Sequence, residues 1–100
     1  MNIEIKEQNG SYLGILTGWI DSAEASQFLE DMKPPMANAN KSIELDCSKL
    51  KYICSLGLRG VLQLKKESVA KGGSMVLTHV EGEVQKILKL TGFDKLLDIR

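Results

Sequence analysis

The sequence predicts a single α/β domain with a mixed sheet of four to five strands and helices packed mainly on one face. Three observations carry this. The chain has 100 residues, a length that suits one domain, residues 1–100, with one core. Apolar spacings of two and of 3.6 residues follow one another in the order β-β-α-β-α-β-α, and strands that alternate with helices after an opening hairpin imply parallel pairing through right-handed crossovers. Each helical segment also has one apolar stripe, about wide enough for one sheet face.

The first strand is predicted over residues 2–7, where Ile3 and Ile5 alternate with polar neighbours. An Asn9-Gly10 turn then leads to a second strand over residues 12–16. Asp21 with Glu24 three residues later has capping-box spacing, and Ala25, Phe28, Leu29, Met32 and Met36 follow at helical intervals. Pro34 and Pro35 should end that helix, because neither offers an amide proton and Lys33 is pushed from helical angles. A short strand is expected over residues 42–47, a turn at Ser48 and Lys49, and a further extended piece over 50–53. The second helix starts after the Ser55 junction with Leu58, Val61, Leu62 and Val69 on its stripe, and stops at Lys71-Gly72-Gly73. Met75, Val76 and Leu77 form a buried strand. Val84, Ile87, Leu88 and Thr91 return to helical spacing with Gly92 as C-terminal cap, and an apolar end, Phe93 to Ile99, allows a short final strand.

Composition narrows the function. Lysine plus arginine equals aspartate plus glutamate at 13 each, so no overall field draws the chain to nucleic acid or to acidic lipid, and partners must be recognised locally. Charges at Glu4, Lys6 and Glu7 interrupt the start where a secretory signal would be apolar, and no later run approaches a membrane span of about 18 residues. A cytoplasmic setting without direct membrane or nucleic-acid binding is expected. Cys47 and Cys54 form no C-x-x-C pair and are expected as buried reduced thiols.

The pieces "LTGWID" (residues 16–21), "IELDCSKLKYICSLGLRGVLQL" (43–64), "KGGSMVLTHV" (71–80) and "VQKILKLTGFDKLLDI" (84–99) resemble a STAS domain of the anti-sigma factor antagonist family, in order and over nearly the whole chain. The family signature D-S-S-G-L at the start of the second helix reads here Cys54-Ser55-Leu56-Gly57-Leu58. The resemblance implies that Ser55 is the phosphate acceptor of a partner anti-sigma factor serine/threonine kinase, with a serine phosphatase to reverse the step. It also implies that Asp21 helps form the kinase-binding surface, in which Ser22, Cys54, Leu56, Gly57 and Arg59 are the further candidates. The domain would be a substrate and a binding module, with no cofactor of its own and no catalysis. Two positions depart from the signature. Cys54 stands for its aspartate and cannot orient a hydroxyl as a carboxylate would, and Leu56 stands for its second serine. These departures motivate a second reading, a constitutive scaffold subunit of a membrane-lipid transporter complex that is not phosphoregulated.

The residues at the junction support a switch independently of the resemblance. A serine there is expected to be the N-cap, a role typically worth about 1 kcal/mol. A phosphoryl group on it would add about 1.5 to 2 negative charges beside the positive end of the helix dipole, among unpaired amides, and would obstruct a partner without unfolding the domain. On the helical wheel Leu56 points about 160° from Leu58, which exposes it beside Ser55 as an apolar contact, and Gly57 leaves room for close approach.

Catalytic and metal arrangements are poorer fits. Ser55, His79 and Asp46 lack a G-x-S-x-G elbow, and Cys47, Cys54 and His79 have no recognised ligand spacing. Gly72-Gly73 lacks the lysine of a phosphate-binding loop and is a helix stop. Trp19 is expected as a part-buried anchor of the opening hairpin, and Lys65-Lys66-Glu67 as a solvated helix face.

Overall fold

Residues 3–8, 10–33, 37 and 42–100 are described in the computed structural model. Four strands form one sheet in the order β1-β2-β3-β4: β1 Ile3–Gln8, β2 Ser11–Ile20, β3 Ser42–Ile53 and β4 Ser74–Thr78. β1 and β2 pair antiparallel, while β2–β3 and β3–β4 pair parallel. Helices α1 (Ser22–Asp31), α2 (Ser55–Ala70) and α3 (Gly82–Thr91) follow β2, β3 and β4 in turn. This is the predicted order. The end of the chain also runs beside β4: the Leu77 amide donates to Asp98 O and the Arg100 amide to Leu77 O, with Leu77 and Ile99 as a parallel bridge. The sheet thus has four full strands and a rudiment of a fifth.

Alternation along the strands explains the layers. Residues paired across a sheet point to one side, and the register sets Ile3 beside Leu16, Tyr12 beside Ile43 and Leu45 beside Leu77. All of these are buried and form the core with Phe28, Leu58, Leu64 and Leu88 of the helices. Leu13, Ile15, Glu44 and Val76 lie in the other phase and are half-buried. The helices therefore cover one face. Asp21 caps α1 as expected, its Oδ1 accepting the Glu24 amide at 3.0 Å. Gly92, at φ 78°, ends α3. Helix α1 ends at Asp31 with Met32 as its cap; Pro34, Pro35 and Met36, like Asn9 of the predicted hairpin turn, lie outside the described residues.

Two local expectations are corrected. There is no turn at Ser48 and Lys49: β3 runs unbroken from Ser42 to Ile53, and β3 holds an extra residue opposite Ile15/Thr17 and another opposite Gly18/Trp19. Each bulge shifts the phase of alternation, so burial moves from Ile43, Leu45 and Cys47 to Leu50 and then Ile53. Asp46, a turn-type residue, serves the first bulge by accepting the Ser48 amide at 2.9 Å. The stripe of α2 is also narrower than predicted. Leu58, Val61, Leu64 and Ser68 are buried and Leu62 partly so, but Val69 is 62% exposed.

Candidate functional site

Strands β2 and β3 end side by side, with Ile20 paired to Ile53, so the helices that follow them start at one rim. The Cys54 amide donates to Ile20 O at 2.9 Å and ties the two starts together. Asp21 and Ser22 open one helix there, and Cys54 and Ser55 the other. Carboxyl ends of parallel strands are where open α/β sheets commonly receive ligands.

The two starts differ in one atom group. Cys54, with φ −81° and ψ 171°, is the N-cap of α2, and no side chain caps this helix. Ser55 is the first helical residue, which corrects its assignment as the cap by one position. The first intrahelical bond runs from the Leu58 amide to Cys54 O at 3.0 Å, so the amides of Ser55, Leu56 and Gly57 have no intrahelical acceptor. The hydroxyl of Ser55 is exposed at that end of the helix dipole.

Around it, Leu56 is 39% exposed and points away from the buried Leu58, as the wheel predicts. Arg59 is exposed one turn along, at the i+4 position that neighbours Ser55 on a helix. Gly57, by contrast, uses its small size inward: an added Cβ would come 2.8 Å from Ile53 Cγ1 and 3.3 Å from Ile20 Cγ2. The room it leaves is filled by the ends of β2 and β3, which lets α2 begin tight against the sheet. Gly60 serves the same end, because a Cβ there would collide with Leu29 of α1. Of the predicted contact residues, Asp21, Ser22, Leu56 and Arg59 are exposed, Cys54 is half-buried and Gly57 is buried.

Trp19 does not anchor the hairpin. It is 63% exposed and lies against Tyr52 of β3, ring centroids 5.4 Å apart at 30°. The shift of register at Gly18/Trp19 sets the two rings opposite one another; a bulge is a feature that single-residue alternation does not reveal.

The two thiols also separate. Cys47 is buried, and burial pushes its thiol up to about 12, with the neighbouring Asp46 charge adding to the effect. Cys54 is half-buried, not buried as expected. His79, in the left-handed region at φ 57°, places Nδ1 3.3 Å from Asp46 Oδ1. The Ser48 amide, and secondarily His79, hold the Asp46 carboxyl below its ordinary range against the effect of burial. This pair is remote from Ser55, because Asp46 precedes Ile53 by seven residues of extended strand, on the order of 20 Å. Asp46, His79 and Ser55 are not brought together. Among the described residues, no three or more His, Cys, Asp or Glu side chains are grouped to hold a metal ion, and no helix is long and apolar enough to cross a membrane.

The family model described as "Mlab, STAS domain" matches residues 15–98, from the middle of β2 to the segment beside β4. The chain belongs to the STAS domain family. Among curated proteins it is 28% identical over 93 residues to BtrV of Bordetella bronchiseptica, assigned as an anti-sigma factor antagonist; the match covers 93% of this STAS chain and 80% of BtrV. Two solved structures share the fold. An anti-sigma factor antagonist from Mycobacterium paratuberculosis has a TM-score of 0.83 at 18% identity, with 97% of this chain and 82% of that one covered. The Bacillus cell fate determinant SpoIIAA in its phosphorylated form has a TM-score of 0.73 at 16% identity, covering 98% and 90%.

Proposed function

We propose that this STAS domain is an anti-sigma factor antagonist that works by partner switching. Unmodified, it binds an anti-sigma factor of the serine-kinase type and so frees a sigma factor. That kinase transfers the γ-phosphoryl group of ATP to Ser55 Oγ, releasing ADP and the hydroxyl proton, and the association ends; a serine phosphatase restores it. The observation that carries the reading is Ser55 itself, exposed on the first residue of a helix that no side chain caps. Asp21, Ser22, Cys54, Leu56, Gly57 and Arg59 form its surroundings, with Gly57 acting by setting the helix close to the sheet. A doubly charged group at this point faces the positive helix end on the domain's side and desolvation on the partner's side. Binding is lost while the fold persists. Likeness to BtrV over most of both chains supports the same reading.

The test is to incubate the purified domain with its cognate kinase, ATP and magnesium, and to take an intact mass. A phosphate-sized increase that vanishes in Ser55→Ala is expected; no increase, or one that persists in the variant, contradicts the proposal. The half-buried thiol at the cap position, where relatives by resemblance have a carboxylate, favours one competing reading: a constitutive scaffold in a membrane-lipid transporter complex. Recovery of a transporter ATPase in a pull-down, undiminished by Ser55→Asp, would establish the scaffold in place of the switch.

A further inference from the structure

Trp19 borders a hollow of about 450 Å³ that the phosphate switch does not use. Ser48, the buried Leu50 and Lys51 line it from β3, and Glu81, Gly82 and Glu83 line it from the start of α3. It lies along the part of β3 beyond Asp46, where pairing with β4 has ended. Tyr52 packs against the indole, with ring centroids 5.4 Å apart and 30° between the planes. A large ring kept at the surface in a fixed orientation loses little freedom on contact, which is the character of an interface hot spot.

The charges define what fits against it. Glu83 contacts Lys86 at 3.5 Å and sits in the first turn of α3, where acidic residues complement the dipole. Glu81 lies at the same positive helix end. It is the N-cap residue of α3 but its side chain caps nothing, and among the described residues its carboxylate has no hydrogen bond or ion pair. An anionic group would meet two carboxylates and one lysine. A purely apolar side chain would desolvate Glu81 without a counter-charge. A guanidinium satisfies both walls, since its face stacks on an indole while its edge donates to carboxylates.

Resting on the partner-switch reading, we propose that this hollow receives an arginine side chain of the partner kinase and helps decide which kinase the domain accepts. Trp19 is two residues before Asp21 and Tyr52 two before Cys54. One interface of ordinary size, about 800 Å² per partner, is then required to reach both Ser55 and the hollow.

Isothermal titration of the domain with its cognate serine kinase and ADP tests this, with thermal melts confirming that each surface variant is folded. Trp19→Ala and the pair Glu81→Lys/Glu83→Lys should each weaken binding about tenfold or more, and Lys51→Ala should leave it unchanged or tighter. Wild-type binding that none of these variants alters removes the hollow from the interface and leaves the switch standing. Weaker binding by Lys51→Ala with tighter binding by Glu81→Gln would assign an anionic group and overturn the arginine. Loss through Trp19→Ala alone, with both charge variants neutral, would overturn it in favour of an apolar contact. A wild-type domain that binds no kinase fails the partner-switch reading first, and this proposal with it.

Discussion

Two helices begin side by side at the rim of the sheet, and they begin differently. Helix α1 is closed by Asp21, whose carboxylate accepts the Glu24 amide. Helix α2 is opened by Cys54, whose thiol accepts nothing, and Ser55 follows it into solvent. The backbone is alike at both caps, extended in ψ at −173° and 171°. Only the side chain separates a helix start with one amide satisfied by its cap from one with none so satisfied. One start has a side-chain cap and the other has none.

The largest effect should come from closing the space under the open end. Gly57→Val drives a branched side chain into Ile53 and Ile20, and is expected to destabilise by about 2 kcal/mol, as overpacking does. Urea denaturation would measure it; a neutral result would mean that α2 can lift from the sheet. Next, one substitution made at both caps sharpens the contrast. Asp21→Ala should lose about 1 kcal/mol, Asp21→Asn very little, and Cys54→Ala only the packing of a half-buried thiol, roughly half a kcal/mol, as chemical denaturation would show. Equal losses at Asp21 and Cys54 would erase the distinction between the two starts. Thiol labelling extends it from stability to access: Cys54 should react in the native state, while Cys47, buried and with its thiol pushed up to about 12, should react only on unfolding, as mass spectrometry after timed alkylation would show.

The smallest effect is one of pH. The Asp46 carboxyl is held below its ordinary value mainly by the Ser48 amide, at the bulge that sets the phase of β3 toward Cys54. A depressed carboxyl stabilises above its unfolded value, about 4, and that contribution fades as pH falls through the folded value. Acid titration of the melting temperature should show a fall below about pH 4 that is shallower in Asp46→Asn.

Most of the fold was legible because its signals are periodic. Ile3 and Ile5, Ala25 and Phe28, and Val84 and Leu88 repeat at the spacing of the elements they occupy, and Asp21 and Gly92 stand where helix ends favour them. What escaped has a common cause. Asp46 and Ser48 are turn-forming residues put to use inside a strand, where they stabilise a bulge, and no single-chain pattern distinguishes those uses. Alternation does not place Trp19, because the bulges re-phase β3 against β2 and put Tyr52 beside it. Serine prefers the cap position; the chain instead places Cys54 there and Ser55 one residue into the helix. The motif marks Ser55 as the candidate site, and the structure shows that no side chain caps its helix.

The most direct measurement compares the domain phosphorylated at Ser55, verified by mass, with the unmodified domain in two assays, a thermal melt and titration with the kinase. A melting temperature unchanged or higher, together with loss of kinase binding, is the predicted result. A fall of more than about 5 °C, equivalent to roughly 1 kcal/mol in a domain of this size, or full retention of binding, would contradict it.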